Sequence, residues 1–264
     1  MAGKRAQRRN FGQGKCAVVI FVSVNITVVI PAFNEEAYLT ATLDSLETAA
    51  TRLQSRSDIR IDTIVVDNNS TDATASIAQR KGAKVIHEPA QGISRARNTG
   101  ACHAEGDVLV FIDADVIVPP ELLEEIYAVM SDPACVGGGV DVDYKPKRTI
   151  IKLHLRVWRL LSHLFGMVQG ATQFCRTSVF EQVGGYDETA WIGEDVDFYW
   201  QLKRYAKKSQ GTIKLIRNPR VNPSPRRFDG WPVWKTLIWT NPLFIALLRR
   251  RKWVWGGWYS RPVR

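Results

Sequence analysis

Three short stretches gather carboxylates where they could do chemistry together: Pro31-Ala-Phe-Asn-Glu-Glu36, Asp67-Asn-Asn-Ser-Thr-Asp72 and Asp113-Ala-Asp115. The last is the sharpest. It follows the apolar run Val108-Leu-Val-Phe-Ile112, and two carboxylates one residue apart at a strand end point the same way if the strand geometry persists. A hard divalent ion takes oxygen ligands and usually shares its shell with substrate phosphates. Such a pair could grip the ion that clamps a nucleotide diphosphate and neutralises charge on a leaving group. A solvated turn would explain the tripeptide alone; the apolar strand before it and the two neighbouring acidic loops favour the ligand. Residues 67–72 approach a calcium loop of the D-x-[DN]-x-[DN]-G type, but Asp72 stands where that loop requires Gly, and a strand precedes it. Asp72 is expected to cap a helix and Asp67, at the strand tip, to contact ligand.

A fourth carboxylate group, Glu194-Asp195, sits at an expected helix start behind Gly193. A carboxylate placed there can reach into a cleft and take a proton as a general base. The ordinary alternative is a capping acid favoured by the helix dipole. Asp197 is then expected to face elsewhere, in a structural role. Arg95 and Arg97 could each meet phosphate, although a surface helix carrying arginines is equally ordinary. His154 and His163 lie in the amphipathic pattern Ile150–Leu164 and are expected to pack and not to ligate.

The elements that must position these groups follow from periodicity. Apolar β-branched runs at 26–30, 61–66, 84–86 and 107–112 alternate with helical patterns. Leu39, Leu43, Leu46 and Leu53 form one stripe, with Asn34 placed to cap that helix. A short helix runs from Thr71 towards Arg80 and stops at Gly82, and another spans Ser94 to Ala104. Pro119-Pro120 opens a helix with Leu122, Leu123, Ile126 and Met130 on one side. The alternation predicts an α/β fold, a mostly parallel sheet flanked by helices. Ligands of such sheets bind beyond the carboxyl ends of the strands, where all three acidic clusters would fall.

In that order, Val28–Glu36, Val65–Asp72, Gly92-Ile-Ser-Arg-Ala-Arg-Asn-Thr-Gly100, Phe111-Ile-Asp-Ala-Asp115, Phe180–Glu188 and Gly193-Glu-Asp-Val-Asp-Phe198 resemble the family 2 glycosyltransferases of GT-A fold, over about residues 26–217. The resemblance implies an inverting transferase that uses a nucleoside diphosphate sugar, UDP- or GDP-linked, with Mn²⁺ or Mg²⁺. By position it would set Phe33 along the base, with Pro31 and Glu35 lining the pocket. Asp67 would accept from the base edge, Asp113 would hold the ribose side and share the metal site with Asp115, and Asp195 would be the base. Arg97 is carried with them as a donor contact. Processive members carry Q-x-x-R-W, for which this chain has only Arg226-Arg-Phe-Asp-Gly-Trp231, and that departure puts polymer synthesis in doubt.

Charge and composition set bounds. With 45% apolar and 23% charged residues the chain is of folded type. Its net charge of +10 is unevenly spread: residues 1–15 carry five Lys or Arg and no acid, and residues 201–264 carry sixteen against Asp229 alone, so the centre is acidic. A nucleic-acid-binding domain would carry its cations on its recognition elements, so no nucleic-acid partner is expected. Cys16, Cys102, Cys135 and Cys175 are too scattered for zinc or a disulfide framework, which suits reduced thiols and a cytoplasmic location. Cationic residues 4–9 and the nine-residue apolar run 16–24 resemble a leader. The run is about half of what spans a bilayer, and a core strand follows at once, so residues 1–25 are expected to be an extension. A catalytic body is expected over 26–220 and a Trp-rich basic segment over 221–264. Six of nine tryptophans fall between Trp231 and Trp258, and the nearly uncharged stretch 231–248 ends in Arg249-Arg-Arg-Lys252. That composition suits either a peripheral membrane contact through 231–258 or a packed lid. The acceptor is expected to be a saccharide or a lipid-linked molecule. A polyprenyl-phosphate glycosyltransferase is the nearest rival, and a sugar nucleotidyltransferase is disfavoured because no G-x-G-x-R loop follows the first strand.

Overall fold

The computed structural model describes residues 24–165, 167–168, 170–251 and 253–255, so the extension up to residue 23, Cys16 within it, Lys252 and Trp258 lie outside the described residues. Eight strands form one sheet: β1 (Ile26–Ala32), β2 (Ile61–Asp67), β3 (Lys84–His87), β4 (Val108–Ile112), β5 (Val116–Ile117), β6 (Cys135–Val142), β7 (Thr172–Arg176) and β8 (Thr212–Pro223). Their order is β3-β2-β1-β4-β7-β6-β8-β5. The first four run parallel, β7 is antiparallel to both its neighbours, and β6 and β8 are again parallel. The helices are α1 (Leu39–Gln54), α2 (Thr74–Arg80), α3 (Ile93–Cys102), α4 (Leu122–Met130), α5 (Thr149–Phe165), α6 (Thr177–Val183), α7 (Glu194–Ser209), α8 (Arg226–Gly230), α9 (Val233–Trp239) and α10 (Pro242–Leu248).

The expected alternation is present, with the central strands covered on both faces. β1 and β4 are buried throughout, as near-continuous apolar strands of a parallel sheet should be. One core lies under α1 and α4 and uses Leu39, Leu43, Leu46 and Leu53 with Leu122, Leu123, Ile126 and Met130. The other joins Val29, Leu109 and Phe111 to an aromatic group of Phe180, Tyr186 and Phe198. At Gly100 a β-carbon would lie 2.3 Å from Val29 Cγ1, so only glycine lets α3 rest on β1.

Two expectations are corrected. Asn34 does not cap α1, which starts at Leu39 behind Tyr38. It sits in a left-handed conformation, and its Oδ1 accepts the Thr71 N–H at 2.8 Å, tying two acidic loops together. The expected boundary at 220/221 falls inside β8, which runs on to Pro223.

Candidate active site

The strand register brings the acidic loops together. Ala32 lies opposite Asp67, so the two following loops interlock: Asn68 N–H donates to Ala32 O, Glu35 N–H to Thr74 Oγ1, and Ala73 N–H to Glu36 Oε2. Asp72 Oδ1 accepts the Thr74 N–H at 2.9 Å and so satisfies the start of α2. Asp67 is buried; its Oδ1 accepts the Ser70 N–H and its Oδ2 lies 3.4 Å from His87 Nδ1. Pro31 is buried at the tip of β1, and Phe33 is half-buried beyond it.

Asp113 and Asp115 do not continue the strand. β4 ends at Ile112, and the chain turns so that Val116 N–H donates to Asp113 O. The two carboxylates therefore take different partners. Asp113 accepts from Arg97 Nη2 at 2.8 Å, whereas Asp115 Oδ2 lies 3.4 Å from Arg226 Nη2. Burial, opposed by Arg97 and reinforced by Asp115, pushes the Asp113 carboxyl up to about 6. Burial also raises Asp115, against the pull of Arg226.

Arg97 is not a surface arginine. It is 1% exposed and is shared between Asp113 and Glu194, whose Oε1 accepts from Nη1 at 2.8 Å. Its guanidinium also lies 5.0 Å from the centre of the Tyr186 ring. A buried cation is tolerated only with such partners. Arg97 thus links the turn after β4 to the first residue of α7. Arg95 instead pairs with Glu188, 3.1 Å away.

Asp195 follows Glu194 at the start of α7, behind Gly193 in a left-handed conformation. Its Oδ2 accepts the Gly170 N–H at 2.6 Å. Burial and the neighbouring Glu194 raise its carboxyl to about 7, despite Arg97. Asp197 pairs with Arg249.

The cations that close this site come from α8, far along the chain from the acidic loops they meet. α8 brings Arg226 to Glu35 with two hydrogen bonds, one from Nη1 to Oε2 at 2.7 Å, and lays its guanidinium 4.4 Å from the centre of the Tyr38 ring. Arg227 beside it feels the charges of Asp115, Glu35 and Asp113, and burial lowers its proton affinity. Tyr144, raised by burial, feels Asp115, Asp113 and Asp195. The Glu35–Arg226 contact spans 191 residues of chain, so no local pattern could announce it. The one available hint was the pair Arg226-Arg227 where the processive motif was missing.

Among the described residues no group of three or more His, Cys, Asp or Glu is arranged to hold a metal ion. The donor set does fit a hard ion that completes its shell with phosphate oxygens, which needs only one or two carboxylates from the protein. The Arg226 guanidinium, seated between Glu35 and Asp115, marks the place where the protein accommodates positive charge.

The helix-covered, mostly parallel sheet, with acidic loops at the carboxyl ends of its strands, has the GT-A fold of the solved glycosyltransferases it resembles. The chain belongs to glycosyl transferase family 2, whose model matches residues 27–184, more than half of the sequence. It is 30% identical over 194 residues to the pre-mycofactocin glycosyltransferase of Mycobacterium tuberculosis, an alignment covering 67% of this chain and 39% of that protein. The chain thus spans about two fifths of that relative's length. The structure is similar to Staphylococcus aureus TarS solved with UDP-GlcNAc, at 21% identity and a TM-score of 0.57, covering 76% of this chain and 58% of TarS. It is also similar to the glucosyl-3-phosphoglycerate synthase of Mycobacterium tuberculosis solved with Mn²⁺, UDP and glucosyl-3-phosphoglycerate, at 20% identity and a TM-score of 0.56, covering 93% and 86% of the two chains.

Proposed function

We propose that this chain transfers a sugar from a UDP- or GDP-linked donor to an acceptor hydroxyl with inversion, and that it needs Mn²⁺ or Mg²⁺. The observation that carries the reading is the carboxylate pair Glu35 and Asp115 closed around the single guanidinium of Arg226. The site is built to accept a cation next to a second cation, Arg227, as a diphosphate leaving group requires. Asp115, with Asp113 beside it, would hold the divalent ion, which would supply charge neutralisation on the diphosphate. Phe33, Pro31 and Asp67 lie along the edge where a base would rest, and Arg97 acts through Asp113 and Glu194, not as a direct phosphate contact.

Asp195 is the base. The acceptor oxygen forms its bond to the anomeric carbon as the bond from that carbon to the diphosphate breaks on the opposite face. The hydroxyl proton passes to Asp195. A carboxyl held near 7 is well matched to that task, since a base works best with a pKa close to the operating pH. The catalytic body covers 26–223, to the end of β8, with α8 as an essential addition, and the location is cytoplasmic.

The acceptor admits a second reading. A lipid-linked acceptor reached by peripheral membrane contact is favoured by the exposure of Trp234, Leu237 and Trp253 in the segment 231–258. No helix among the described residues is long and apolar enough to cross a membrane. Part of that segment packs on itself: Trp255 is buried against Trp239 and Phe244. Arg249 and Arg250 are held by Asp197 and Asp187, so two of the four cations of the cluster 249–252 are committed to the protein.

Donor binding tests the main reading. UDP and GDP with Mn²⁺ should raise the melting temperature, EDTA should cancel the shift, and Asp115→Asn should lose it while remaining folded. Full turnover in excess EDTA would exclude metal dependence.

A further inference from the structure

The chain between β6 and β7 leaves the sheet beside the site, at Tyr144, and returns at Gly170, whose N–H binds Asp195. Between them runs α5. Its inner edge is set by Ile151, buried, by His154, hydrogen-bonded to Thr240 Oγ1 at 2.8 Å, and by Ser162, buried; the His163 side chain lies outside the described residues. The amphipathic pattern expected to pack against the body therefore has a second apolar edge that is left exposed among the described residues. Ile150, Leu153, Val157, Leu160 and Leu161 recur at helical spacing and face water, Leu153 and Leu160 with 62% and 61% of their surface exposed. Lys152 and Arg156 flank them, both exposed, and α5 contains no acidic residue.

α9 lies alongside. Arg148 Nη1 donates to Trp231 O at 2.7 Å before the two helices begin, and His154, in the second turn of α5, meets Thr240 just past the end of α9, so α9 runs in the same direction beside the first turns of α5. α9 exposes Trp234, Leu237 and Ile238, again at helical spacing, and its one charge, Lys235, is a cation lying over the Trp231 and Trp239 rings. On α5 the exposed stripe lies between the cationic flank and the edge that touches α9, so the two apolar faces adjoin. Soluble monomers rarely leave an apolar face of this kind uncovered.

We propose that the α5–α9 face docks in the plane of an anionic phospholipid bilayer. Charge decides among the occupants. A second copy would set the cations of α5 against cations with no acid to meet them. The N-terminal extension joins the apolar run 16–24 to five cations and no acid in 1–15, so it complements the stripe but not its basic flank. An anionic leaflet complements both the apolar stripe and its basic flank, the pattern of helices that lie in the membrane interface. The face adjoins the segment that frames Asp195 and Tyr144, so docking brings the cleft to the headgroup layer. That consequence deepens the lipid-linked reading of the acceptor and rests on it.

Co-sedimentation of the full chain with phosphatidylcholine vesicles, with and without phosphatidylglycerol, tests the proposal. Binding should require phosphatidylglycerol and weaken with salt. Leu153→Gln combined with Leu160→Gln should abolish it without changing the melting temperature, and Lys152→Gln or Arg156→Gln should each weaken it about fivefold. If the double glutamine variant does not fold, Lys152→Gln with Arg156→Gln carries the test. No binding at any composition, binding indifferent to these changes, or a dimer of the wild type that the leucine variant dissolves would overturn it. The Mn²⁺–UDP melting shift, read on the same samples without vesicles, separates failure of this face from failure of the transferase reading.

Discussion

Replacing Asp195 by Asn should make the protein more stable and nearly inactive, and the stability gain should depend on pH. A carboxyl ordinarily near 3.8 is held at about 7 by burial and by Glu194. At about 1.4 kcal/mol per unit, this is a ceiling of about 4 kcal/mol that the ionised group costs the native state. Relaxation, and the sharing of charge among Glu194, Arg97 and Asp195, reduce the expected cost to about 1–2 kcal/mol. The sign follows from proton binding. Between about pH 4 and 7 the native protein keeps a proton that the unfolded chain has released, so this group's contribution to stability falls as pH rises through that window. Asn carries no charge, and its Oδ1 can still accept the Gly170 N–H. Without donor or metal, Asp195→Asn should therefore melt about 2–8 °C above the wild type at about pH 8, taking about 2–4 °C per kcal/mol for a chain of this size, and the gap should close towards about pH 4. Turnover should fall by about two to four orders of magnitude, the usual contribution of a positioned base, with donor affinity largely kept. In the wild type, kcat should fall on the acid side of about 7 as the base takes up its proton. Differential scanning calorimetry across pH, with steady-state kinetics, is the assay. A variant less stable than the wild type at pH about 8, or a gap that does not move with pH, would refute the burial argument; lost donor affinity with unchanged kcat would make Asp195 a structural cap.

Arg226→Gln leaves Glu35 and Asp115 facing each other without their shared cation. In EDTA it should cost about 1–3 kcal/mol, less than the about 3–5 of a fully buried pair, and Mn²⁺ with UDP should raise its melting temperature by more than it raises the wild type's. An equal shift in both proteins would show that Arg226 does not share the cation site. Gly170→Ala would place a β-carbon 2.3 Å from Asp195 Cβ and 2.6 Å from its Oδ2. Since a displacement of about 1 Å can cost about a hundredfold, kcat should fall by about that much while UDP affinity, measured by titration calorimetry, holds. Wild-type turnover would remove Gly170 from the positioning of the base.

Much of the frame was determined by local pattern. Strands such as Val108–Ile112 are apolar throughout, helices such as α1 carry one leucine stripe, and both signals act over a few residues, so they are readable in one dimension. Because ligand sites of such sheets lie at the carboxyl strand ends, the three acidic loops could be assigned to one edge before any contact was known. The folded chain decided how those groups are partnered. Asp113 and Asp115 look equivalent in sequence, yet the turn after Ile112 sends one to Arg97 and the other to Arg226. Arg97 has the composition of a surface helix and lies buried, because Asp113 and Glu194, on distant segments, converge on it. The apolar stripe of α5 was legible as amphipathic, but periodicity gives the angle between two faces and not which face meets the body. Burial, ion pairing and pKa depend on groups brought together across up to 191 residues of chain, and only the tertiary packing fixes those distances.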